Sequence, residues 1–252
     1  MNGRVARLSL AALHLAARGV SADPGGIAHW LYRFGTVPRG PAIDRDFGPD
    51  DDPMAVLGMT TGGATRRLLE SAYEPSSLPG WYSFARIGMP LQLTAACKLY
   101  VSPRAEALAD AFPRVVAELA RAEVRSFKVG RGIEGLLRPD KLIAYFDSRD
   151  DLHQVAGTLA RVLSGCPAQG VPFTADIAGD GLLSWGVDPP VGHAALSWRS
   201  WVTKKLAASL AGRRAMTADD SVAATLDDIR VAGVDPERWL ASAGAFGEES
   251  YA

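Results

Sequence analysis

This sequence has little cysteine, little lysine and almost no net charge. Its 252 residues include two cysteines, Cys97 and Cys166, too few for a disulfide framework or a cysteine-rich metal centre. The formal net charge is −1, which gives no argument for binding to nucleic acid or to an anionic membrane. No apolar run reaches the length of a membrane span. We therefore expect a cytoplasmic protein with neither nucleic acid nor a membrane as its partner.

Several motifs of common hydrolytic and nucleotide-binding enzymes are also missing. The sequence has no Walker loop, no Gly-x-Ser-x-Gly elbow and no His-Glu-x-x-His pair. The glycine-rich segment at 58–63 lacks the lysine of a nucleotide loop, so we interpret it as a turn. These absences exclude the reaction classes that depend on those motifs.

Composition and periodicity indicate a folded α+β protein. Apolar residues make up 48% of the chain and charged residues 22%, so a hydrophobic core is expected. Short strand patterns alternate with helical patterns after residue 96, which favours a short mixed sheet with helices packed on it. Helices flank this region at both ends of the chain. We expect an N-terminal helical and loop region at 1–80 and an α+β domain at 81–252.

Capping residues predict where two of the helices begin. Ser102 and Pro103 are typical of a helix start and predict a helix over 103–122. Ser148, followed by aspartates in the first turn, predicts a helix over 148–164.

Two further segments have simpler predictions. Residues 35–53 are rich in proline and aspartate and are predicted to form a loop. A metal site at 50–52 is disfavoured, because three successive carboxylates on a loop have no fixed geometry. Residues 235–243 are predicted to form the last of three closing helices.

Three of the five lysines lie in or at the start of apolar strand patterns. They are Lys98 in CKLYV, Lys128 in SFKVG and Lys141 in DKLIAYF. A buried ammonium group either pairs with an anion or loses its proton. If these strands are neighbours, side-chain alternation brings the lysines to one sheet surface. The alternative is an ordinary solvated face on which the lysines extend towards water.

Arginines near the strand ends would add to such a surface. Arg125, Arg131 and Arg138 lie at or just beyond the predicted strands. Guanidinium groups bind phosphate through two parallel hydrogen bonds and lysine supplies a point charge, so a phosphate or oxyanion pocket is consistent with this set. His153 lies in the first turns of the 148–164 helix, where a catalytic acid and an exposed helix histidine are both consistent with the sequence.

The order of these segments resembles the HopA-type effector family. The resemblance covers about residues 80–210, and its specificity comes from the order and spacing of short motifs. The matching segments are Leu99-Tyr100, Phe127-Lys128, Asp140 to Tyr145, Pro172-Phe173-Thr174 and Asp188-Pro189.

The resemblance implies a lyase. That family is named for a bacterial type III effector and also supplies phosphoserine/phosphothreonine lyases of thioamitide and class V lanthipeptide biosynthesis. It implies β-elimination of phosphate from a phosphorylated precursor peptide, leaving dehydroalanine or dehydrobutyrine. No metal or organic cofactor is implied. The expected partners are the precursor peptide and the kinase and cyclase of the same pathway.

Elimination requires a base for the α-proton, cations for the leaving phosphate and an acid to protonate it. Lys128, flanked by apolar residues, fits the base best. The further catalytic candidates are Lys98, which also suits the phosphate clamp, and Tyr145 or His153 as the acid. The candidate phosphate-binding residues are Arg131, Arg138, Lys141 and Arg199.

Two other interpretations remain open. The same basic surface could recognise a leader peptide or a partner kinase without catalysis, as a binding module of a synthetase complex. The chain could also be a HopA-like effector. Elimination from a phosphorylated peptide distinguishes the lyase from the binding module.

Overall fold

The structure is a computed structural model that describes residues 3–47, 54–91, 96–190, 193 and 196–242. The chain divides into two compact units: Met1–Gly35 with Gly170–Ala252, and Thr36–Gln169. The division expected after residue 80 falls inside the second unit, at the turn between its first two strands. Within the described ranges, no helix is long and apolar enough to cross a membrane.

In the described chain four helices precede the first strand, and helices alternate with strands mainly between residues 97 and 162. The helices are α1 (Arg4–Ala17), α2 (Pro24–Arg33), α3 (Pro41–Phe47), α4 (Ala64–Ala72), α5 (Leu108–Arg121), α6 (Gly132–Leu136), α7 (Arg149–Val162), α8 (Trp198–Ala211) and α9 (Ala218–Val231). The strands are β1 (Tyr73–Leu78), β2 (Trp81–Arg86), β3 (Cys97–Val101), β4 (Ser126–Gly130), β5 (Leu142–Phe146), β6 (Ala175–Asp176), β7 (Leu183–Val187), β8 (Val234–Asp235) and β9 (Leu240–Ala241). The α+β class is confirmed.

The Thr36–Gln169 unit contains an antiparallel sheet in the order β1-β2-β4-β5-β3, where the sequence suggested a mixed sheet. Its register pairs Lys98 with Tyr145 and places Lys128 between Ser83 and Ile143. Because side chains alternate along a strand, these residues and Trp81 lie on one side of the sheet. We call this side the basic face.

The opposite side of this sheet is apolar. Leu99, Phe127, Val129 and Ala144 are fully buried there. The Phe127 ring stacks on that of Phe84 with centroids 4.8 Å apart. Helix α7 packs against β3 and β5, and α5 packs against α7. Burial of a side chain such as Phe127 contributes about 1.5–3 kcal/mol, so this side anchors the strands that carry the basic face.

The other unit is mainly helical. Helix α2 packs against α8, and both α1 and α8 pack against α9. The Trp198 indole donates a hydrogen bond to the Trp239 carbonyl at 3.0 Å. The buried Arg199 guanidinium donates to the carbonyls of Pro172 at 3.0 Å and Tyr32 at 2.8 Å. Arg199 thus satisfies backbone groups within its own unit.

One of the two predicted helix caps is confirmed. The Ser148 side chain accepts hydrogen bonds from the amides of Asp150 and Asp151 at the start of α7. The prediction for Ser102 is wrong, because its fully buried hydroxyl donates to the Pro139 carbonyl at 2.7 Å. A short 3-10 helix, Ala105–Ala107, follows instead, and α5 begins only at Leu108.

Other errors of the sequence analysis arise where packing outweighs local pattern. The helix predicted from 235 is instead the β8–β9 hairpin, with Trp239 buried in its loop. Helix α3 lies in the predicted loop at 35–53, of which 48–53 fall outside the described residues.

Close backbone packing explains the glycines that follow β4. A Cβ atom on Gly130 would lie 2.3 Å from the Gly135 carbonyl oxygen, and Gly132 has a φ of 68°. Gly130, Gly132 and Gly135 also match the Gly-x-Gly-x-x-Gly pattern of dinucleotide loops. However, α6 has five residues, and β4 and β5 are antiparallel. The segment is therefore a tight strand-to-helix turn and not half of a parallel dinucleotide-binding unit.

Substituting Gly130 with alanine should destabilise the protein by about 1–3 kcal/mol, because the added methyl group meets backbone atoms that cannot move aside. Gly157 is the matched control, because a Cβ there meets no atom within 4 Å. Gly157→Ala, inside α7, should stabilise by about 0.5–1 kcal/mol. Urea denaturation of both variants checks this pair. Equal effects would contradict the proposed close packing at Gly130.

Candidate active site

Two lysines converge on the basic face. The ammonium nitrogens of Lys98 and Lys128 each lie 5.7 Å from the centre of the Tyr145 ring. Lys98 and Tyr145 are nearly fully buried, and Lys128 is partly buried. The alternation and register of β3, β4 and β5 produce this arrangement, as the sequence pattern predicts for Lys98 and Lys128.

An aromatic side chain joins this pair to an arginine. Trp81, the first residue of β2, has the Lys128 ammonium 4.3 Å from its ring centre and the Arg138 guanidinium 4.9 Å from it. Both distances are within the range of cation–π attraction. Trp81 therefore holds two cations beside one apolar surface.

A buried carboxylate orients the arginine. Nε and Nη2 of Arg138 donate to the two carboxylate oxygens of Asp140, each at 2.9 Å. Asp140 is 2% exposed, and the Arg138 side chain is 23% exposed. A two-point contact fixes the plane of a guanidinium group more firmly than a single hydrogen bond. Arg138 is thus held at the edge of the cluster.

The surroundings of Lys128 weaken its hold on a proton. Its pKa is lowered from 10.5 to about 8, chiefly by burial and then by the charge of Lys98. Asp140 acts in the opposite direction and raises this pKa, and Arg138 lowers it further. About one amine in ten is neutral at pH 7 at this pKa, against less than about one in a thousand for an unshifted lysine.

A hydroxyl group lies directly opposite Lys128 in the neighbouring strand. Ser83 is fully buried, and its Oγ has no hydrogen-bond partner among the described residues. Buried polar atoms rarely remain unpaired without a structural or functional reason. Ser83 can therefore supply one hydrogen bond to a group that binds beside Lys128.

The structure separates Lys141 from the two-lysine cluster. Its fully buried ammonium donates to the Pro103 carbonyl at 2.7 Å and to the Gln169 side-chain oxygen. Burial lowers the Lys141 pKa from 10.5 to about 7, against the opposing charge of Asp140. Lys141 therefore has protein partners where the sequence analysis expected phosphate.

Two of the other predicted residues, Arg131 and His153, lie away from the basic face. Arg131 stacks over Tyr82, which alternates with Trp81 and so points to the other side of the sheet. His153 is exposed on α7, the helix that covers the apolar side. Arg199 belongs to the other compact unit, where it binds backbone carbonyls. Of the predicted residues in the Thr36–Gln169 unit, the structure brings together Lys98, Lys128, Tyr145 and Arg138.

Sequence reasoning missed three members of the cluster. They are Trp81, Ser83 and Asp140. Alternation along WYSFAR puts Trp81 and Ser83 on one side of β2, but the position of β2 next to β4 had no sequence signal. The sequence analysis named Asp140 only as the first residue of the segment from Asp140 to Tyr145 and gave it no role in the site. Among the residues described, no group of three or more histidine, cysteine, aspartate or glutamate side chains could hold a metal ion.

Comparison with known proteins identifies the fold. No family model and no curated protein matches this sequence. The effector protein from Pseudomonas syringae pv. tomato strain DC3000 is similar, with a TM-score of 0.57, 12% identity, and coverage of 95% of this chain and 99% of its own. The effector protein from Pseudomonas syringae pv. syringae strain 61 is also similar, with a TM-score of 0.52 and 14% identity. The match covers 95% of this chain and 99% of that protein. These two likenesses show a shared fold.

A third solved structure is more distant. The phosphothreonine lyase SpvC, an effector protein from Salmonella, has a TM-score of 0.38 and 13% identity, over 81% of this chain and 99% of its own. At that score the likeness supports no argument about activity.

Inorganic phosphate should stabilise the folded protein through the Lys98, Lys128 and Arg138 cluster. A ligand that binds only the folded state adds about 2.7 kcal/mol at 100 times its dissociation constant. Thermal melts in rising phosphate, with chloride at matched ionic strength, should show an upward shift for phosphate alone. A Lys98→Gln/Lys128→Gln double variant should lose that shift. An equal shift in chloride, or in the double variant, would contradict an anion site here.

Proposed function

We propose that this chain is a phosphoserine/phosphothreonine lyase that eliminates phosphate from a phosphorylated precursor peptide. The observation that carries the proposal is the partly buried Lys128, whose pKa is lowered to about 8 beside Lys98 and Arg138. One group can thus accept a proton while its neighbours bind an anion. The sequence resemblance to the HopA-type effector family supports the same reaction.

The proposed reaction begins with the neutral Lys128 amine. It removes the α-proton of the phosphorylated residue, and the electrons of the Cα–H bond form the Cα=Cβ double bond. The bond from Cβ to the phosphate oxygen breaks, and phosphate leaves with that electron pair. The products are dehydroalanine or dehydrobutyrine, phosphate and protonated Lys128, which returns its proton to solvent.

The neighbouring groups have complementary roles in this proposal. Lys98 and Arg138 bind the phosphate and offset the charge that grows on the leaving oxygen. Tyr145, close to both lysines, is the proposed acid for that oxygen, and it regains its proton from solvent. The buried Ser83 hydroxyl adds a hydrogen bond to the phosphorylated residue. We further propose that a kinase installs the phosphate and a cyclase consumes the alkene in lanthipeptide-type biosynthesis.

Replacing Lys128 with glutamine should lower the elimination rate by about 10²–10⁴, because the base is lost, while peptide binding is largely kept. Lys98→Gln should instead weaken binding and the transition state together. The exposed Lys204 on α8 provides the matched control, and Lys204→Gln should leave the rate unchanged. Mass spectrometry of a kinase-treated precursor peptide follows the loss of phosphoric acid.

Two results would decide against this assignment. An unchanged rate in Lys128→Gln would remove Lys128 as the base. Binding of the phosphorylated peptide by wild type without any elimination would instead identify a non-catalytic peptide-binding module.

The pH dependence of kcat/KM gives an independent check. Because the reaction needs the neutral amine, kcat/KM should rise as pH increases through about 8, the pKa of Lys128 in the free protein. The substrate phosphate loses its second proton near pH 6, so this ionisation is nearly complete before kcat/KM begins to rise through pH 8. A rate that falls across this range would contradict a lysine base.

A further inference from the structure

Asp140 connects three basic side chains of the Thr36–Gln169 unit. It holds Arg138 through two hydrogen bonds of 2.9 Å. Its negative charge also acts on the ammonium groups of Lys128 and Lys141, which otherwise have their charged forms disfavoured by burial. Asp140 is itself 2% exposed, so solvent screens these interactions little.

We propose that Asp140 is a positioning residue for the elimination: it fixes Arg138 against Trp81 and keeps Lys128 a strong enough base. This inference rests on the proposed function. Asp140 itself does not contact the reacting atoms; it acts through Arg138 and Lys128.

A chain of contacts links Asp140 to Arg138, Trp81 and Lys128. The Asp140 carboxylate fixes the plane of the Arg138 guanidinium, which lies 4.9 Å from the centre of the Trp81 ring. The same ring lies 4.3 Å from the Lys128 ammonium. Release of Arg138 would therefore disturb both the phosphate clamp and the apolar surface beside the base. A misplacement of about 1 Å in such a site can cost on the order of 10² in rate.

The pKa of Lys128 is set by opposing effects of its surroundings. Burial, Lys98 and Arg138 all disfavour its ammonium form, and Asp140 opposes them. A lower pKa yields more neutral amine, but each neutral amine is then a weaker base towards an α-proton that is only weakly acidic. Without Asp140, burial and the two cations would lower the pKa of Lys128 further. The carboxylate therefore sets a compromise between the amount of base and its strength.

The charged and titratable groups around both lysines are contributed by several elements. Facing Lys128 are Lys98 from β3, Tyr145 from β5, and Arg138 and Asp140 from the segment before β5. Facing Lys141 are Asp140, Glu106 of the 3-10 helix and Cys166 beyond α7. Asp140 is shared by the two sets, so its removal has a signature in two lysines at once.

The small number of lysines makes that signature measurable. Protein labelled with ¹³C at the ε-carbon of lysine gives signals from five residues, which Lys→Arg variants assign. NMR titration of wild type should show midpoints near 8 for Lys128 and near 7 for Lys141. In Asp140→Asn both midpoints should fall, because a negative charge beside each ammonium is lost.

Glu118 offers a matched control in the same unit. It is 5% exposed and binds Arg121 through two hydrogen bonds of 2.9 and 2.6 Å, so it repeats the buried carboxylate–arginine arrangement at another place. Glu118→Gln should leave both lysine midpoints unchanged. If Asp140→Asn does not fold, the double variant Arg138→Gln/Asp140→Asn removes both partners of the pair. Lys141 should still titrate lower in that variant.

Elimination assays complete the test. In Asp140→Asn the rising limb of kcat/KM should move to lower pH, with a plateau reduced about 10-fold or more. Unmoved lysine midpoints, or a rate reduced equally at every pH with the limb in place, would overturn the inference. The NMR titration needs no substrate. Shifted midpoints in a protein that never eliminates phosphate would therefore refute the proposed function, while the effect of Asp140 on Lys128 would stand.

Discussion

The burial of two neighbouring lysine ammonium groups on one sheet face, nearly complete for Lys98 and partial for Lys128, is the constraint on which this site depends. The ammonium groups of Lys98 and Lys128 each lie 5.7 Å from the centre of the Tyr145 ring, and the nearly fully buried Lys98 has little water to screen its charge. Such an arrangement is costly unless an anion binds or a proton leaves. Trp81, Arg138 and Asp140 surround Lys128, and the apolar side of the sheet fixes the strands beneath. Both the proposed chemistry and the expected affinity for phosphate follow from this arrangement.

The sequence predicted the strands of this face better than their order. Side-chain alternation in CKLYV and SFKVG was sufficient to put Lys98 and Lys128 on equivalent sides of their strands, and β5, lying between β3 and β4, brings them together. Ser148 predicted the start of α7 because capping is a local interaction. The prediction that Ser102 caps a helix was wrong, because its hydroxyl donates its hydrogen bond to the carbonyl of Pro139, which is distant in sequence.

The rest of the site depends on long-range contacts that one sequence does not reveal. Trp81 and Ser83 are part of the site only because β2 pairs with β4. Lys141 is not part of it, because its ammonium donates hydrogen bonds to Pro103 and Gln169. The three glycines from 130 to 135 show the opposite case, in which a sequence motif is present but tertiary packing gives it another role. They match a nucleotide-binding pattern, yet their spacing serves close backbone packing between β4 and α6. Tertiary contacts therefore decide which motif residues carry chemistry.

A crystal structure of the Lys128→Gln variant with a bound phosphopeptide would test the central claim most directly. The account predicts that phosphate oxygens lie within hydrogen-bond distance of the Lys98 ammonium and the Arg138 guanidinium. It also predicts that the α-carbon of the phosphorylated residue faces position 128. A phosphate bound away from the basic face, or an α-carbon on the far side of the phosphate from position 128, would contradict it.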